Sequence, residues 1–290
     1  MTLAVNQLRL SYGSREVLQV AELQFEPASM VCLLGPNGCG KSTLLRVLAG
    51  LNRPTAGAVS LDGKPLASWS PKALARRLAF LPQSPTVPQG VTVRQLVAHG
   101  RYPHQGLFAR QSSHDREVVG WAMESTGISH LQCRDIGTLS GGERQRAWIA
   151  MILAQESSIV LLDEPTTYLD IGHQAELMEL LAYLQRTRQL TVVMVLHDLN
   201  QASQYADRLL ALRDGRIVAD GAPLDIVDSR LSERLFGLVT QRIDRTCSGR
   251  LVPYCLPVGP ASPGRPTHED VAANPMAERS EVLSYLEGKS

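Results

Sequence analysis

Residues 3–11 and 16–25 alternate apolar and polar positions, the period of half-buried strands, on either side of a Tyr12-Gly13-Ser14 turn. The pattern then changes. Met30-Val31-Cys32-Leu33-Leu34 is an unbroken apolar run with the length of a strand buried on both faces. After a glycine-rich stretch, Leu44-Leu45-Arg46-Val47-Leu48-Ala49 continues as a helix and stops at Gly50. Ala58–Leu61 and Leu78–Leu81 are read as short strands, closed by Asp62-Gly63 and Pro82-Gln83. Pro85, Pro88 and Gly90 mark a boundary within residues 84–90. From about residue 92 to 155 the spacing is helical and no strand is evident. It predicts a short helix over Val93–His99, a polar loop over 100–113, a helix over Asp115–Thr126 and a strong one over Gly141–Ala154. Strands and helices then alternate: Ile159–Leu162, a helix near 173–186, Leu190–Leu196, a helix near 199–205, and Arg208–Leu212. Asp214-Gly215 turns the chain into Arg216–Asp220, and two short helices are expected near 224–237.

This order predicts an α/β fold: a parallel-sheet core, antiparallel strands at its N-terminus and an α-helical subdomain inserted in the middle. The expected domain spans residues 1–240, with 1–84 and 157–222 as the core and 85–156 as the helical subdomain. Residues 241–257 are a C-terminal extension. Past Pro257 the chain is rich in proline and glycine, and 258–290 is expected to be disordered, with a short helix near 277–286.

Composition narrows the class. With 290 residues, 44% of them hydrophobic and 20% charged, the chain is an ordinary globular protein. Its formal charge of +1 gives no overall pull toward nucleic acid. No apolar run approaches the ~20 residues that span a bilayer. Met1–Asn6 lacks a basic patch followed by an apolar core, so no secretory signal is expected. Five cysteines, an odd number with no Cys-x-x-Cys pair, read as free thiols in a reducing compartment.

The glycine-rich stretch is Gly35-Pro36-Asn37-Gly38-Cys39-Gly40-Lys41-Ser42-Thr43, which fits the phosphate-loop pattern G-x-x-x-x-G-K-[ST] between a strand and a helix. Glycines let the backbone wrap tightly and aim successive N–H groups at an anion, and the helix beginning near Lys41 adds its positive dipole end. Lys41 would reach the β- and γ-phosphates of a bound nucleotide, and the Ser42 hydroxyl would ligate Mg²⁺. Cys39 is read as a small filler within the loop.

A second station is the strand Ile159–Leu162, which ends in Asp163-Glu164. A strand beside the phosphate-loop strand would deliver both carboxylates at the sheet's carboxyl edge, where ligands bind in open α/β sheets. Asp163 could then hold the Mg²⁺ shell, and Glu164 could polarise an attacking water. A third is Leu139-Ser140-Gly141-Gly142-Glu143, in which Ser140 and Glu143 form an S-x-x-E capping box. Paired glycines weaken a helix start, which suggests close approach by another group, and a phosphate would suit Ser140 and the amides of Gly141 and Gly142.

Leu-Ser-Gly-Gly-Glu together with the phosphate loop and the Asp-Glu strand resembles the ATP-binding cassette (ABC) ATPases, over roughly residues 1–257. The resemblance implies a phosphate-loop ATPase in which two copies face head to tail. Each ATP is then sandwiched between one copy's Gly35–Thr43 and the other's Ser140, Gly141, Gly142, Glu143 and Asp170. It implies that Tyr12 stacks on adenine and that Gln83 senses Mg²⁺ and the γ-phosphate. It further implies that Glu164 is the catalytic glutamate, that Tyr168-Leu169-Asp170 crosses the dimer interface, and that His197 contacts the γ-phosphate.

Three further stretches, Ala98–His104, Asp163–Asp170 and Leu196–Ala202, resemble the import ATPases for iron–siderophore complexes, those of ferric enterobactin importers in particular. Vitamin B12 and haem importers share much of the pattern, and a soluble cassette ATPase such as an iron–sulfur assembly factor is the reading from another class. The import reading implies a homodimer at the cytoplasmic face of the bacterial inner membrane. Its partners would be a separate membrane permease and a periplasmic siderophore-binding protein, with no nucleic acid involved. Gly100–Phe108 is the segment expected to meet the permease.

Overall fold

The first two strands, β1 (Leu3–Tyr12) and β2 (Arg15–Phe25), pair antiparallel through a two-residue turn in which Gly13 takes φ 61°. The computed structural model describes residues 2–87, 89–106, 111–247 and 249–260. Next come β3 (Met30–Leu34), α1 (Lys41–Leu48), β4 (Ala56–Leu61), β5 (Lys64–Pro65), α2 (Pro71–Ala75) and β6 (Leu78–Leu81). Strands β2-β1-β4-β5 make one antiparallel sheet, as expected for the N-terminus.

The helical segment follows, with α3 (Val93–His99), α4 (Ser113–Ser125) and α5 (Gly141–Ala154). Each begins with a capping box: Thr92 with Gln95, Ser112 with Asp115, and Ser140 with Glu143. Buried Arg101 ties the segment together, its Nε donating to Asp115 Oδ1 at 2.8 Å and its Nη1 to Ala154 O and Glu156 Oε2, each at 2.7 Å. Residues 107–110, the first two of which end the segment expected to meet a permease, lie outside the described residues.

The chain then returns to the core through β7 (Ile159–Asp163), α6 (Ile171–Arg188), β8 (Thr191–Val195), α7 (Leu199–Tyr205), β9 (Arg208–Arg213) and β10 (Arg216–Gly221). The second sheet runs β10-β9-β3-β8-β7-β6, parallel except for the β9–β10 hairpin. Its three central strands are buried at every position, as a sheet covered on both faces requires. Alternation along them divides the core. Met30, Cys32, Leu34, Val160, Leu162, Val192 and Met194 pack with α5, α6 and the helical segment. Val31, Leu33, Ile159, Leu161, Val193 and Val195 pack with α1 and the N-terminal sheet.

Two short helices close the expected domain, α8 (Pro223–Ile226) and α9 (Ser229–Phe236). Beyond them lies a hairpin that the sequence reading does not contain: β11 (Leu238–Cys247) paired antiparallel with β12 (Arg250–Pro260). Pro253, Pro257 and Pro260 hide β12, because proline ordinarily argues against a strand; a lone two-stranded ribbon tolerates it. β12 runs three residues into the stretch expected to be disordered from 258; residues 261–290, including the helix expected near 277–286, lie outside the described residues.

Candidate functional site

Four neighbouring parallel strands end at one edge of the core sheet, and each delivers part of the site. β3 runs into the phosphate loop, β6 is followed by Pro82-Gln83, β7 ends at Asp163, and β8 is followed by Leu196-His197. The loop needs its glycines for different reasons. Gly35 takes φ 147°, and a Cβ there would stand 2.1 Å from the Leu212 carbonyl oxygen, so it makes room for the neighbouring strand. Gly38, at φ 76°, has no atom within 4 Å of where a Cβ would lie, so its surroundings are open.

Lys41 is buried, and its Nζ donates to the carbonyls of Gly35 at 2.8 Å and Pro36 at 2.9 Å. The ammonium is thereby held inside the curve of the loop. Cys39 Sγ lies 3.9 Å from the same Nζ. Burial pushes the Cys39 thiol up, against the pull of Lys41. The first residues of α1 present Ser42, whose Oγ donates to Asp163 Oδ1 at 2.8 Å. Asp163 is buried, and its carboxyl is raised above the usual range by that burial and by the neighbouring Glu164 charge, against the Ser42 bond.

Glu164 takes φ 53°, a left-handed value unusual for a side chain this large. Its carboxylate joins two other strand ends. Gln83 Nε2 donates to Oε2 at 2.6 Å, and His197 Nε2 lies 2.7 Å from Oε1. Thr167 Oγ1 also donates to Oε2 at 3.3 Å. Lys41, Ser42, Asp163, Glu164, Gln83 and His197 therefore form one cluster. Tyr12, at the end of β1, is exposed, and its Oη accepts from Asn52 Nδ2 at 3.0 Å.

Ser140, Gly141, Gly142, Glu143 and Asp170 do not join that cluster. Ser140 N–H and Oγ both donate to Glu143 Oε2 at 2.8 Å, and this holds the Glu143 carboxyl below the usual carboxylate range. Asp170 caps α6, accepting from His173 N–H at 2.9 Å, which likewise lowers its carboxyl. Among the described residues no hydrogen bond links these groups to the phosphate loop. They do meet the loop after Glu164: a Cβ on Gly141 would lie 3.2 Å from Tyr168 Cβ.

Two residues absent from the sequence reading shape that loop. Gln145, buried on α5, donates from Nε2 to Pro165 O at 2.9 Å. Gln174 on α6 donates from Nε2 to Leu169 O at 3.0 Å. Nothing local marks Gln145, whose partner becomes a neighbour only when the loop folds over α5; Gln174 reaches back five and eight residues to the loop that leads into its own helix. Among the described residues no helix is long and apolar enough to cross a membrane.

A phosphate loop, an acidic strand end and a capped Ser-Gly-Gly-Glu helix on this sheet order define an ABC ATPase, and residues 9–167 match the family model described as ABC transporter. The chain belongs to that family. It is 51% identical over 257 residues to the ferric enterobactin transport ATP-binding protein FepC of Escherichia coli (strain K12), covering 89% of this chain and 94% of that protein. Its fold is similar to that of a metal-chelate type ABC transporter solved in an inward-facing conformation, with TM-score 0.76, 30% identity, and 89% and 98% of the two chains covered. It is also similar to a bacterial ABC transporter cassette solved as a dimer, with TM-score 0.69, 26% identity, and 76% and 98% covered.

Proposed function

We propose that this chain is the ATP-hydrolysing subunit of an importer for iron–siderophore complexes of the ferric enterobactin kind. The observation that carries the reading is the Glu164 carboxylate held between Gln83 and His197, one residue after the aspartate that binds Ser42. ATP lies with its phosphates against the amides of Gly35–Thr43 and its adenine against Tyr12. Lys41 turns from the loop carbonyls to the β- and γ-phosphates, exchanging two neutral acceptors for charged ones. Glu164 orients and deprotonates the attacking water, and His197 and Gln83 contact the γ-phosphate end.

The donor set suits Mg²⁺: the Ser42 hydroxyl, the Asp163 carboxylate and the Gln83 amide oxygen are hard oxygen ligands, and Ser42 and Asp163 already converge at 2.8 Å. When bound, the ion would neutralise charge on the β- and γ-phosphate oxygens.

A second copy of the chain supplies Ser140, Gly141, Gly142, Glu143 and Asp170 to the γ-phosphate. Their separation from the first site within one chain, and the dimeric cassette of similar fold, support this arrangement. ATP then bridges two subunits, and hydrolysis removes the charge that holds them, which makes the pair a two-state device. The pair sits on the inner face of the cell membrane against a permease, with a periplasmic binding protein delivering the chelate. The FepC relationship supports the cargo.

Two experiments test the reading. The purified chain should hydrolyse ATP, and Lys41→Ala should abolish nucleotide binding; full turnover in that variant would remove the site. A strain lacking the gene should fail to grow on ferric enterobactin as its iron source. Normal growth on that and on every other siderophore tried would remove the cargo.

A further inference from the structure

Asn200 and Gln201 occupy the first turn of α7, directly after His197 and the N-capping Asp198. Their side chains leave that turn toward different partners. Asn200 Nδ2 donates to Cys255 O at 3.1 Å, and its Oδ1 accepts from Cys255 N–H at 2.7 Å. The side-chain amide thus pairs with β12 as a further strand would. The hairpin also holds the far end of the helix, where Arg250 Nη2 donates to Ala206 O at 2.9 Å. Gln201 leads elsewhere: its Nε2 donates to Gln174 Oε1 at 3.3 Å. Gln174 Nε2 in turn donates to Leu169 O at 3.0 Å and Thr166 O at 3.4 Å. Two runs of side-chain amides, joined at α7 through the backbone from Asn200 to Gln201, therefore lead from the C-terminal hairpin, across α7 and α6, to the loop that begins at Glu164.

We propose that Gln174 and Asn200 are positioning residues for ATP hydrolysis, through which the hairpin β11–β12 fixes the loop 165–170 and with it Glu164. The loop needs such a hold. Glu164 and Tyr168 both have left-handed backbones, at φ 53° and 70°, and strained residues of this kind persist only where their surroundings over-determine them. The carbonyls of Pro165, Thr166 and Leu169 are each taken by the amide of Gln145 or Gln174. Losing Gln174 removes two of those restraints and lets the strained segment relax. The phosphate loop and Tyr12 are carried by other elements and keep their geometry. The consequence is a change in turnover without a change in nucleotide affinity. The inference rests on Glu164 being the catalytic base.

The test uses the full chain with Gln174→Met and Asn200→Leu, which keep side-chain size and remove the amides. Each should lower kcat roughly fivefold with the KM for ATP within about twofold, and the double variant should be no slower than the worse single one, because both break one line. If Gln174→Met does not fold, Gln201→Met cuts the same line one step earlier. Unchanged kcat in the singles, or losses that multiply in the double, overturns the proposal, as does a KM that rises as kcat falls. A readout that needs no turnover separates this from failure of the ATPase assignment. Asn200→Leu should speed amide hydrogen exchange across residues 166–170, and unchanged exchange there overturns the proposal whether or not the chain hydrolyses ATP.

Discussion

His197 Nε2 lies 2.7 Å from Oε1 of Glu164, although the two residues end different strands and stand 33 positions apart. The same carboxylate accepts from Gln83, so Glu164 is held from both sides before any substrate arrives. Glu164→Gln removes the proposed base and keeps the shape. Turnover should fall roughly 10²–10⁴-fold while ATP still binds and traps a dimer. Gel filtration with ATP and Mg²⁺ checks this; a monomer with full turnover rejects the assignment.

Gly35 and Gly38 should fail differently. Gly35→Ala drives a methyl into the Leu212 carbonyl and should cost more than about 3 kcal/mol of stability. Gly38→Ala meets no neighbouring atom, so only its left-handed backbone is penalised, by about 1 kcal/mol. That variant should fold yet bind ATP at least about tenfold more weakly, because its methyl enters the open space in which we place the phosphates. Urea unfolding and nucleotide titration separate the two.

Asp163 is a buried acid at the proposed Mg²⁺ site. Burial raises its carboxyl, so the folded state holds the proton more tightly than the unfolded chain does. Stability from this group is therefore present at low pH and is lost as pH rises through the raised folded-state value. Asp163→Asn removes the buried charge and keeps an acceptor for Ser42. The nucleotide-free variant should melt about 2 °C higher at neutral pH and hydrolyse ATP at least about a hundredfold more slowly. A lower melting temperature would show that the charge is better solvated than its burial indicates.

Phosphate loop, α5 and α7 were legible because each carries a local cause. The loop has its glycine spacing between an apolar run and a helix, α5 has the Ser140–Glu143 box, and α7 has Asp198 at its start. The hairpin β11–β12 lacks such a cause, since its alternation is broken by charges in Gln241-Arg242-Ile243-Asp244-Arg245 and by three prolines. The short helix α2 did carry one, Ser70 as cap and Pro71 at its first turn, but five residues give too little periodicity to notice. Gln145 and Gln174 were invisible for a different reason. Gln145 has no signature for a carbonyl twenty residues away, and Gln174, though its acceptors lie only five and eight residues back, looks like any other polar residue in the first turn of a helix.

Arg101 and Asp115 set the acid limit of the helical segment. Burial opposes ionisation of Asp115, but bonds from Arg101 and Ser112 outweigh it and hold the carboxyl at about 2, against an ordinary 3.8. A depressed value means the stabilisation is complete above the ordinary value and is lost as pH falls from about 4 to about 2. Asp115→Asn leaves a buried guanidinium short of a partner and should cost about 3 kcal/mol at neutral pH. In urea titrations the gap from the unaltered chain should narrow over that acid window; a constant gap would contradict the pairing.

The order of strands in the core sheet has a consequence for how the protein is made. Among the described residues β3 pairs with β8 and β9, whose residues begin at Thr191 and Arg208. At synthesis rates of about 5–20 residues per second, the nascent β3 waits roughly ten to thirty seconds for an edge to join. During that wait Cys32, sealed in the finished sheet, is open to thiol reagents. Fragments that stop short of Thr191 should be labelled there, and the complete chain should resist.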